Sequence, residues 1–218
     1  MAPNKLFWSN KQTIPLIERA LHENKIVLGT TDTVPGLMSK LSFKAFEGLN
    51  SIKERNTKPY LILIHDKEMV NLFSDSLQIE KNTLRLIEFC WPGPVTLILR
   101  AKESVEKWMA SADGNIALRV PQHNGLLKLL KNFDGLFSTS ANLTDSPTPC
   151  TLNDVNPKIL STVDYVIDDN DDGIDRDTKI SCLPSTIIDC TKKNARIIRE
   201  GACSREKLEK WYGQPFLK

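Results

Sequence analysis

The sequence lacks long apolar runs, and this shortage excludes a membrane protein. Its longest uninterrupted apolar stretch is five residues, at 60–64, whereas a membrane-spanning helix needs about 20. Residues 1–10 also lack the apolar core of a signal peptide. We therefore expect a cytoplasmic protein that makes no contact with a membrane.

Cysteine is scarce as well, and its spacing fits no zinc site. The chain has five cysteines, an odd number, and no two of them form a C-x-x-C pair. A small secreted domain held by disulfides or a zinc-binding module would show paired, closely spaced cysteines. The three histidines are also too far apart for a metal site. We expect reduced thiols and no metal bound by the protein.

Length and composition are those of one globular α/β domain. The 218 residues are 40% hydrophobic and 26% charged, and a chain of this size buries about 70% of its unfolded surface. We expect a single domain over 1–218, with its core at about 12–210. The net charge is +2, but residues 168–177 hold six aspartates and one arginine, so the remainder carries 28 minus 21, or +7. A basic body of this kind suits an anionic ligand.

Predicted strands and helices alternate along the chain, which favours a mixed α/β sheet with flanking helices. The main predicted helices cover 13–24, 42–52, 79–91, 126–130 and 204–211, with a further helix beginning at 66. The predicted strands are 26–30, 60–64, 95–99, 116–120, 136–139, 163–167, 186–189 and 196–198.

Polar clusters follow predicted strands, where open α/β sheets gather ligands. They occupy 31–33 and 138–142, although such residues also form ordinary turns. Lys53 and Arg55 end a predicted helix, where cations also favour the helix dipole. Arg119 lies inside an apolar strand and Arg199 ends another. Each arginine either binds a phosphate or carboxylate or pairs with an acid.

Seven blocks in order resemble the YrdC family of threonylcarbamoyl-adenylate synthases. They are GTTDTVPGL at 29–37, IKER at 52–55, WPGPVTL at 91–97, LRVP at 118–121, STSANL at 138–143, PSTIID at 184–189 and IREGA at 198–202. The resemblance covers about residues 16–208. It implies a YrdC-like fold, in which a twisted mixed parallel and antiparallel sheet forms a concave, basic cleft.

The resemblance also implies a nucleotidyltransferase reaction. L-Threonine, bicarbonate or carbon dioxide, and ATP would give threonylcarbamoyl-AMP and pyrophosphate, for the threonylcarbamoyl-adenosine modification of tRNA. Such catalysis consists mainly of positioning and charge neutralisation. Mg²⁺ would accompany the triphosphate, held by phosphate oxygens and water. Threonylcarbamoyl transferase proteins would use the product downstream, and direct contact with tRNA is left open.

Residue by residue, the resemblance divides the site in two. The positions that match threonine-binding residues are Thr31, Arg119, Ser138 and Ser185. The positions that match ATP-binding residues are Lys53, Arg55, Asn115, Ser140, Asn142 and Arg199, and we expect Lys53 and Arg55 to act on the phosphates as catalytic residues. Three positions depart from the family pattern: Pro35, Glu54 and Asp145. Glu54 would add a negative charge between two phosphate ligands.

Two further interpretations compete with this one. The basic body also suits a non-catalytic RNA-binding module of the same fold, which would bind phosphates, although aromatic residues make up only 7% of the chain. A carbamoyl-transfer domain of the hydrogenase-maturation type would be accompanied by acylphosphatase and zinc-finger segments, which this sequence lacks. We also hypothesise that the acidic loop at 168–177 is a lid near Ser185.

Overall fold

The computed structural model describes residues 3–54, 59–169 and 182–217. Their strands form one ten-stranded sheet in the order β1-β8-β2-β3-β7-β4-β6-β5-β9-β10. The strands are β1 (Asn4–Phe7), β2 (Val27–Gly29), β3 (Gly36–Lys40), β4 (Leu61–Leu63), β5 (Val95–Arg100), β6 (Asn115–Arg119), β7 (Leu136–Ser140), β8 (Tyr165–Asp168), β9 (Thr186–Asp189) and β10 (Arg196–Arg199).

The sheet mixes both strand directions, as predicted. Four neighbouring pairs are parallel: β1/β8, β2/β8, β4/β6 and β5/β9. Five pairs are antiparallel: β2/β3, β3/β7, β4/β7, β5/β6 and β9/β10. The mixed sheet with flanking helices confirms the predicted fold class.

Seven α-helices lie within the described residues. They are α1 (Thr13–His22), α2 (Phe43–Lys53), α3 (Val70–Phe73), α4 (Lys81–Cys90), α5 (Asn124–Leu130), α6 (Pro157–Leu160) and α7 (Arg205–Tyr212). Short 3₁₀ turns cover Lys67–Met69, Ser76–Gln78, Lys107–Met109 and Leu152–Asp154. Ser42 caps α2 by accepting from the Ala45 amide, as its position before an amphipathic pattern predicted.

Alternation along each strand separates the two faces of the sheet. Ile62, Leu97 and Leu118 belong to the larger apolar core, which also contains Leu86 of α4 and Leu208 of α7. On the opposite face, α1 and α5 pack against Val27, Met38, Leu136 and Ile167 at one half of the sheet. The other half of that face carries the polar cavity described below.

Two strands were not predicted from the sequence. β1 lies at 4–7 and pairs in parallel with β8, so the sheet begins before residue 12. β3 lies at 36–40, where Pro35 and Gly36 suggested only a turn, and it pairs with both β2 and β7. Both strands form because neighbours elsewhere in the sheet supply their hydrogen bonds, which local sequence does not reveal. The single-domain organisation over 1–218 stays a prediction.

The expectation that all five cysteines are reduced is wrong for two of them. Cys150 and Cys182 form a disulfide, with their Cα atoms 4.7 Å apart. Residues 32 apart in sequence meet here because the chain folds their loops together, which spacing alone did not indicate. Cys90, Cys190 and Cys203 are free thiols. Among the described residues, no helix combines the length and apolarity needed to cross a membrane.

Candidate active site

A cavity of about 500 Å³ opens on the half of the sheet that α1 and α5 leave uncovered. Its floor is built from alternate residues of β4, β6, β5 and β9, because these point to one face. Ile98 on β5 pairs with Ala117 on β6, and the same antiparallel register places Thr96 in the next row, beside Arg119. The floor therefore has a polar, cationic row beside an apolar row.

Seven of the ten predicted site residues line this cavity. They are Thr31, Asn115, Arg119, Ser138, Ser140, Ser185 and Arg199. These residues are up to 168 positions apart in the chain (199 minus 31) and come together only through the order of the strands. The cavity unites the four residues of the threonine group with three of the six residues of the ATP group. Whether each residue takes its predicted role stays a prediction.

Arg119 is buried and held by three hydrogen bonds. Its Nε donates to the Gly93 carbonyl at 3.0 Å, and its Nη1 donates to Thr33 Oγ1 at 3.1 Å. Its Nη2 pairs with Asp32 Oδ1. The acid that the sequence left open as an alternative is therefore present. The Arg119 guanidinium also lines the cavity, and it has more N–H donors than these three contacts use.

Arg199 lies at the same end of the cavity as Arg119 and forms hydrogen bonds to Ser185. Its Nη2 donates to the Ser185 carbonyl at 2.8 Å, while its Nε donates to the same oxygen at 3.3 Å. Burial lowers the pKa of Arg199, and the positive charge of Arg119 lowers it further. Two neighbouring guanidinium cations favour the binding of an anion between them. Ser185 Oγ is also hydrogen-bonded to Thr96 Oγ1 at 2.8 Å, which orients the hydroxyl.

The opposite end of the cavity carries hydroxyl and amide groups. Asn115 and Ser140 stand on β6 and β7, and both line the cavity. The Oδ1 atom of Asn115 is buried and has no hydrogen-bond partner among the described residues. A buried acceptor of this kind is costly unless a donor reaches it. Asn115 thus offers an acceptor to a ligand that fills the cavity.

Lys53 lies beside the cavity rather than in its lining. The side chain is buried, and its Nζ donates to the Ser140 carbonyl at 2.9 Å and to Asn142 Oδ1 at 3.1 Å. Nζ also donates to the Asn142 carbonyl. Asn142 Oδ1 in turn accepts from Ser140 Oγ at 2.6 Å. The structure therefore joins Lys53, Ser140 and Asn142 in one network, and their assignment to ATP stays a prediction. Arg55 lies outside the described residues.

Thr31 contacts its own turn. Its hydroxyl donates to the Val34 carbonyl at 2.9 Å and accepts from the Thr33 amide at 3.1 Å. The Thr31 and Thr33 hydroxyls are 3.1 Å apart. The turn function that the sequence left open is thus real, while the residue also lines the cavity.

The three departures from the family pattern lie around this site. Glu54 ends α2 in the left-handed conformation with φ 50°, and its side chain is exposed. Asp145 is also left-handed, with φ 62°, a conformation that glycine adopts more readily than other residues. The Pro35 carbonyl accepts a hydrogen bond from the Ala141 amide at 2.9 Å, which connects the 31–36 turn to the 138–142 turn.

Four residues in or beside the cavity are not among the predicted site residues. Asp32 and Thr33 hold Arg119, and Thr96 holds Ser185. Asp189 also lines the cavity. Their signal was present, because all four fall inside the resembling blocks. The predicted acidic lid lies mostly outside the described residues; Asp168 and Asp169 alone of it are described. The basic character of the cleft as a whole stays a prediction.

The fold and cavity together define an α/β protein with a polar cavity that two arginines line. Comparison with protein families is consistent with this class. The family Sua5_yciO_yrdC, described as Telomere recombination, matches residues 19–201. The chain therefore belongs to the Sua5/YciO/YrdC family.

Similar sequences occur in relatives of different lengths. A putative threonylcarbamoyl-AMP synthase of Methanocaldococcus jannaschii is 30% identical over 200 residues, which are 91% of this chain and 90% of that protein. A threonylcarbamoyl-AMP synthase of Pyrococcus abyssi is 28% identical over 197 residues, 89% of this chain but 55% of that protein. The chain thus spans about half the length of the second relative.

Solved structures resemble this fold closely. The P. abyssi Sua5 protein complexed with L-threonine has a TM-score of 0.85 and 25% identity, covering 99% of this chain and 62% of that one. YciO of E. coli has a TM-score of 0.80 at 19% identity, covering 94% and 99%, and this likeness concerns the fold alone.

Proposed function

We propose that this chain is an L-threonylcarbamoyladenylate synthase. It would form threonylcarbamoyl-AMP and pyrophosphate from L-threonine, bicarbonate or carbon dioxide, and ATP, as the first step of the threonylcarbamoyl-adenosine modification of tRNA. The observation that carries the proposal is the cavity, which gathers Arg119, Arg199, Ser138 and Ser185 on one face of the sheet. The names of the relatives supply the substrate class.

The proposed chemistry needs little covalent work from the protein. The threonine amine bonds to carbon dioxide and gives its proton to water, which leaves a carbamate. A carbamate oxygen then bonds to the α-phosphorus, and the bond from that phosphorus to the β-phosphate oxygen breaks to release pyrophosphate. Charge accumulates on the carbamate and the phosphates, so fixed cations and hydrogen-bond donors stabilise the transition state.

The residues divide this work between the two ends of the cavity. Arg119, with Ser138 and Ser185, would bind the carboxylate and hydroxyl of threonine, since an arginine fork matches a carboxylate. Arg199 lines the same cavity as Arg119 and would serve the anionic centre between the substrates. Asn115, Ser140 and the network of Lys53 with Asn142 would bind ATP, together with Arg55.

Mg²⁺ would enter with the triphosphate rather than occupy a site built by the protein. Among the described residues, no group of three or more histidine, cysteine, aspartate or glutamate side chains could hold a metal ion. ATP carries oxygen ligands of its own, which Mg²⁺ prefers. No step of the proposal therefore depends on a metal ligand from this chain. Transfer of the product to tRNA would fall to separate threonylcarbamoyl transferase proteins.

Pyrophosphate release from ATP tests the proposal. We expect release by the purified protein to require both threonine and bicarbonate, and to fall at least 100-fold in Lys53→Ala, because loss of transition-state charge stabilisation typically has this effect. Lys40→Ala is the matched control, since Lys40 donates to the His22 carbonyl at 2.8 Å on the outer part of β3. It should retain full activity.

The other outcomes are also informative. Release that ignores threonine would contradict the proposed substrate. Absence of ATP and threonine binding, combined with RNA binding that weakens steeply as salt rises, would instead identify the non-catalytic RNA-binding module.

A further inference from the structure

We propose that Asp32 is a positioning residue that sets the guanidinium of Arg119 for the carboxylate of threonine. The proposal rests on the proposed function, because it assumes that threonine occupies the cavity. Asp32 and Arg119 are both almost fully buried, with 8% and 5% of their side chains exposed. The pair is therefore shielded from the solvent that weakens surface ion pairs.

Both carboxylate oxygens of Asp32 are used. Oδ1 accepts from Arg119 Nη2, and Oδ2 accepts from the Gln122 amide at 2.9 Å. Gln122 lies three residues beyond the end of β6, whereas Asp32 lies three residues beyond the end of β2. Asp32 thus joins the guanidinium of Arg119 to the backbone of the turn that follows β6. A freely rotating side chain could not hold the guanidinium in this way.

The remaining contacts leave one part of Arg119 for a ligand. Nε donates to the Gly93 carbonyl at 3.0 Å, and Nη1 donates to Thr33 Oγ1 at 3.1 Å. With the bond to Asp32, these use three of the five N–H groups that arginine carries. Among the described residues, no hydrogen bond takes the other two. A carboxylate binds such a pair best when the fork is fixed beforehand.

Asp32 also offsets charge in a site that holds two arginines. Burial lowers the pKa of Arg199, and the positive charge of Arg119 lowers it further, because two guanidinium groups that line one cavity repel each other. The negative charge of Asp32 partly neutralises the positive charge of Arg119, on the side of the guanidinium that carries Nη2. Removing this carboxylate would let Arg119 move towards the cavity or away from it. In either case its two remaining N–H groups would lose their alignment with a carboxylate.

Threonine binding by titration calorimetry tests the role in the full chain. Asp32→Asn removes the charge and cannot accept at both positions, so we expect threonine to bind about 10- to 100-fold more weakly, the usual effect of losing one charged hydrogen bond. The KM for ATP should change by no more than about twofold. Asp32→Glu restores the charge and should recover part of the affinity. A purely structural role would change both substrates together.

The matched control removes another acid from an ion pair, away from the cavity. Glu88 pairs with Lys67 and is 62% exposed, so Glu88→Gln should leave both constants unchanged. Thermal unfolding of every variant shows whether it remains folded at the assay temperature.

A double-mutant cycle tests whether Asp32 acts through Arg119. In an Arg119→Gln background, we expect Asp32→Asn to weaken threonine binding by no more than about twofold further, because there is no guanidinium left to position. Equal effects of Asp32→Asn with and without Arg119 would overturn the proposal, as would an unchanged threonine affinity in the single variant. Absence of threonine binding by the unaltered protein would overturn the proposed function itself, and this role with it.

Discussion

Lys53 illustrates how one buried side chain can serve structure and chemistry at once. Its ammonium donates to two carbonyls and one side-chain oxygen of the 140–142 turn. That turn also carries Ser140, which lines the cavity. A phosphate that reached Lys53 would therefore meet a cation whose position is already fixed. Fixed charges of this kind need little reorganisation during a reaction.

Replacement of Lys53 should cost stability as well as activity. Lys53→Met keeps the aliphatic stem but leaves three oxygen acceptors without their donor, so we expect the free energy of unfolding to fall by about 2–4 kcal/mol. Urea unfolding measures the change. Lys40→Met removes a single hydrogen bond, to the His22 carbonyl, and should cost about 1 kcal/mol or less. Equal costs for the two variants would contradict the network described for Lys53.

The residues that could be predicted from the sequence were those whose local setting is unusual. Arg119 drew attention because a charge inside an apolar strand needs a reason. Asp32 belongs to the polar cluster at 31–33 but was not selected as a site residue, because an aspartate after a strand is an ordinary turn residue. What distinguishes Asp32 is its pairing with a residue 87 positions away. Only the arrangement of the strands brings the two together.

At the scale of elements, the same contrast separates predicted from missed strands. β9 lies at Thr186–Asp189, as its β-branched run indicated. β3 has the sequence GLMSK, which contains no β-branched residue, yet it is buried between β2 and β7. Its neighbours determine its conformation. Local sequence patterns do not predict strands of this kind, because such strands are stabilised by pairing with their neighbours in the sheet.

The disulfide links two loop positions and should contribute measurably to stability. Cys150 and Cys182 close a loop with a sequence separation of 32, and a cross-link of this length stabilises a fold by about 3–4 kcal/mol through the unfolded state. We expect a reductant to lower the free energy of unfolding by this amount. Urea titrations with and without reductant measure it.

The double variant Cys150→Ser/Cys182→Ser is the control for that prediction. It should be as unstable as the reduced protein and should not respond to reductant. Alkylation of the unaltered chain under oxidising conditions, followed by mass spectrometry, counts its free thiols. Three free thiols are expected if the disulfide forms, and five would contradict the prediction.

The thiol that ends α4 should make stability depend on alkaline pH. Cys90 is buried, and burial raises the pKa of its thiol well above the ordinary value, with Cys203 and Cys190 raising it further. The folded protein therefore keeps this thiol neutral, while the unfolded chain ionises it above about pH 8.5. Its contribution is fully present below that pH and is lost as pH rises towards the folded pKa.

Cys90→Ala isolates this contribution when both proteins carry the Cys150→Ser/Cys182→Ser changes. Between pH 8 and pH 10, the protein that retains Cys90 should lose about 2 kcal/mol more than the variant, since one ionisation in the unfolded state supplies this difference. Urea unfolding at the two pH values measures it. Parallel losses in the two proteins would show that Cys90 ionises equally in both states.

At the scale of the whole molecule, the order of the strands connects the start of the chain to the site. β1 pairs with β8, and β8 pairs with β2, which leads into the 31–33 turn. Trp8 follows β1, and its Nε1 donates to Thr30 Oγ1 at 3.0 Å. Its ring lies so close to Gly125 of α5 that a Cβ atom there would stand 2.8 Å from it. The first residues of the chain therefore pack into the core that supports the cavity.

Replacing Trp8 tests this connection across the molecule. Trp8→Ala removes a buried aromatic ring from between β1 and α5, and we expect it to lower the free energy of unfolding by about 3–5 kcal/mol. Trp8→Phe keeps most of the packing and loses the hydrogen bond to Thr30, so about 1–2 kcal/mol is expected. If Trp8→Ala cost less than about 1 kcal/mol, residues 4–8 would add little to the fold, and the stable core would begin near residue 12, where sequence patterns alone had placed it. The larger loss would show instead that the sheet depends on its first strand, because Trp8 packs against α5 and donates to Thr30, just before the 31–33 turn.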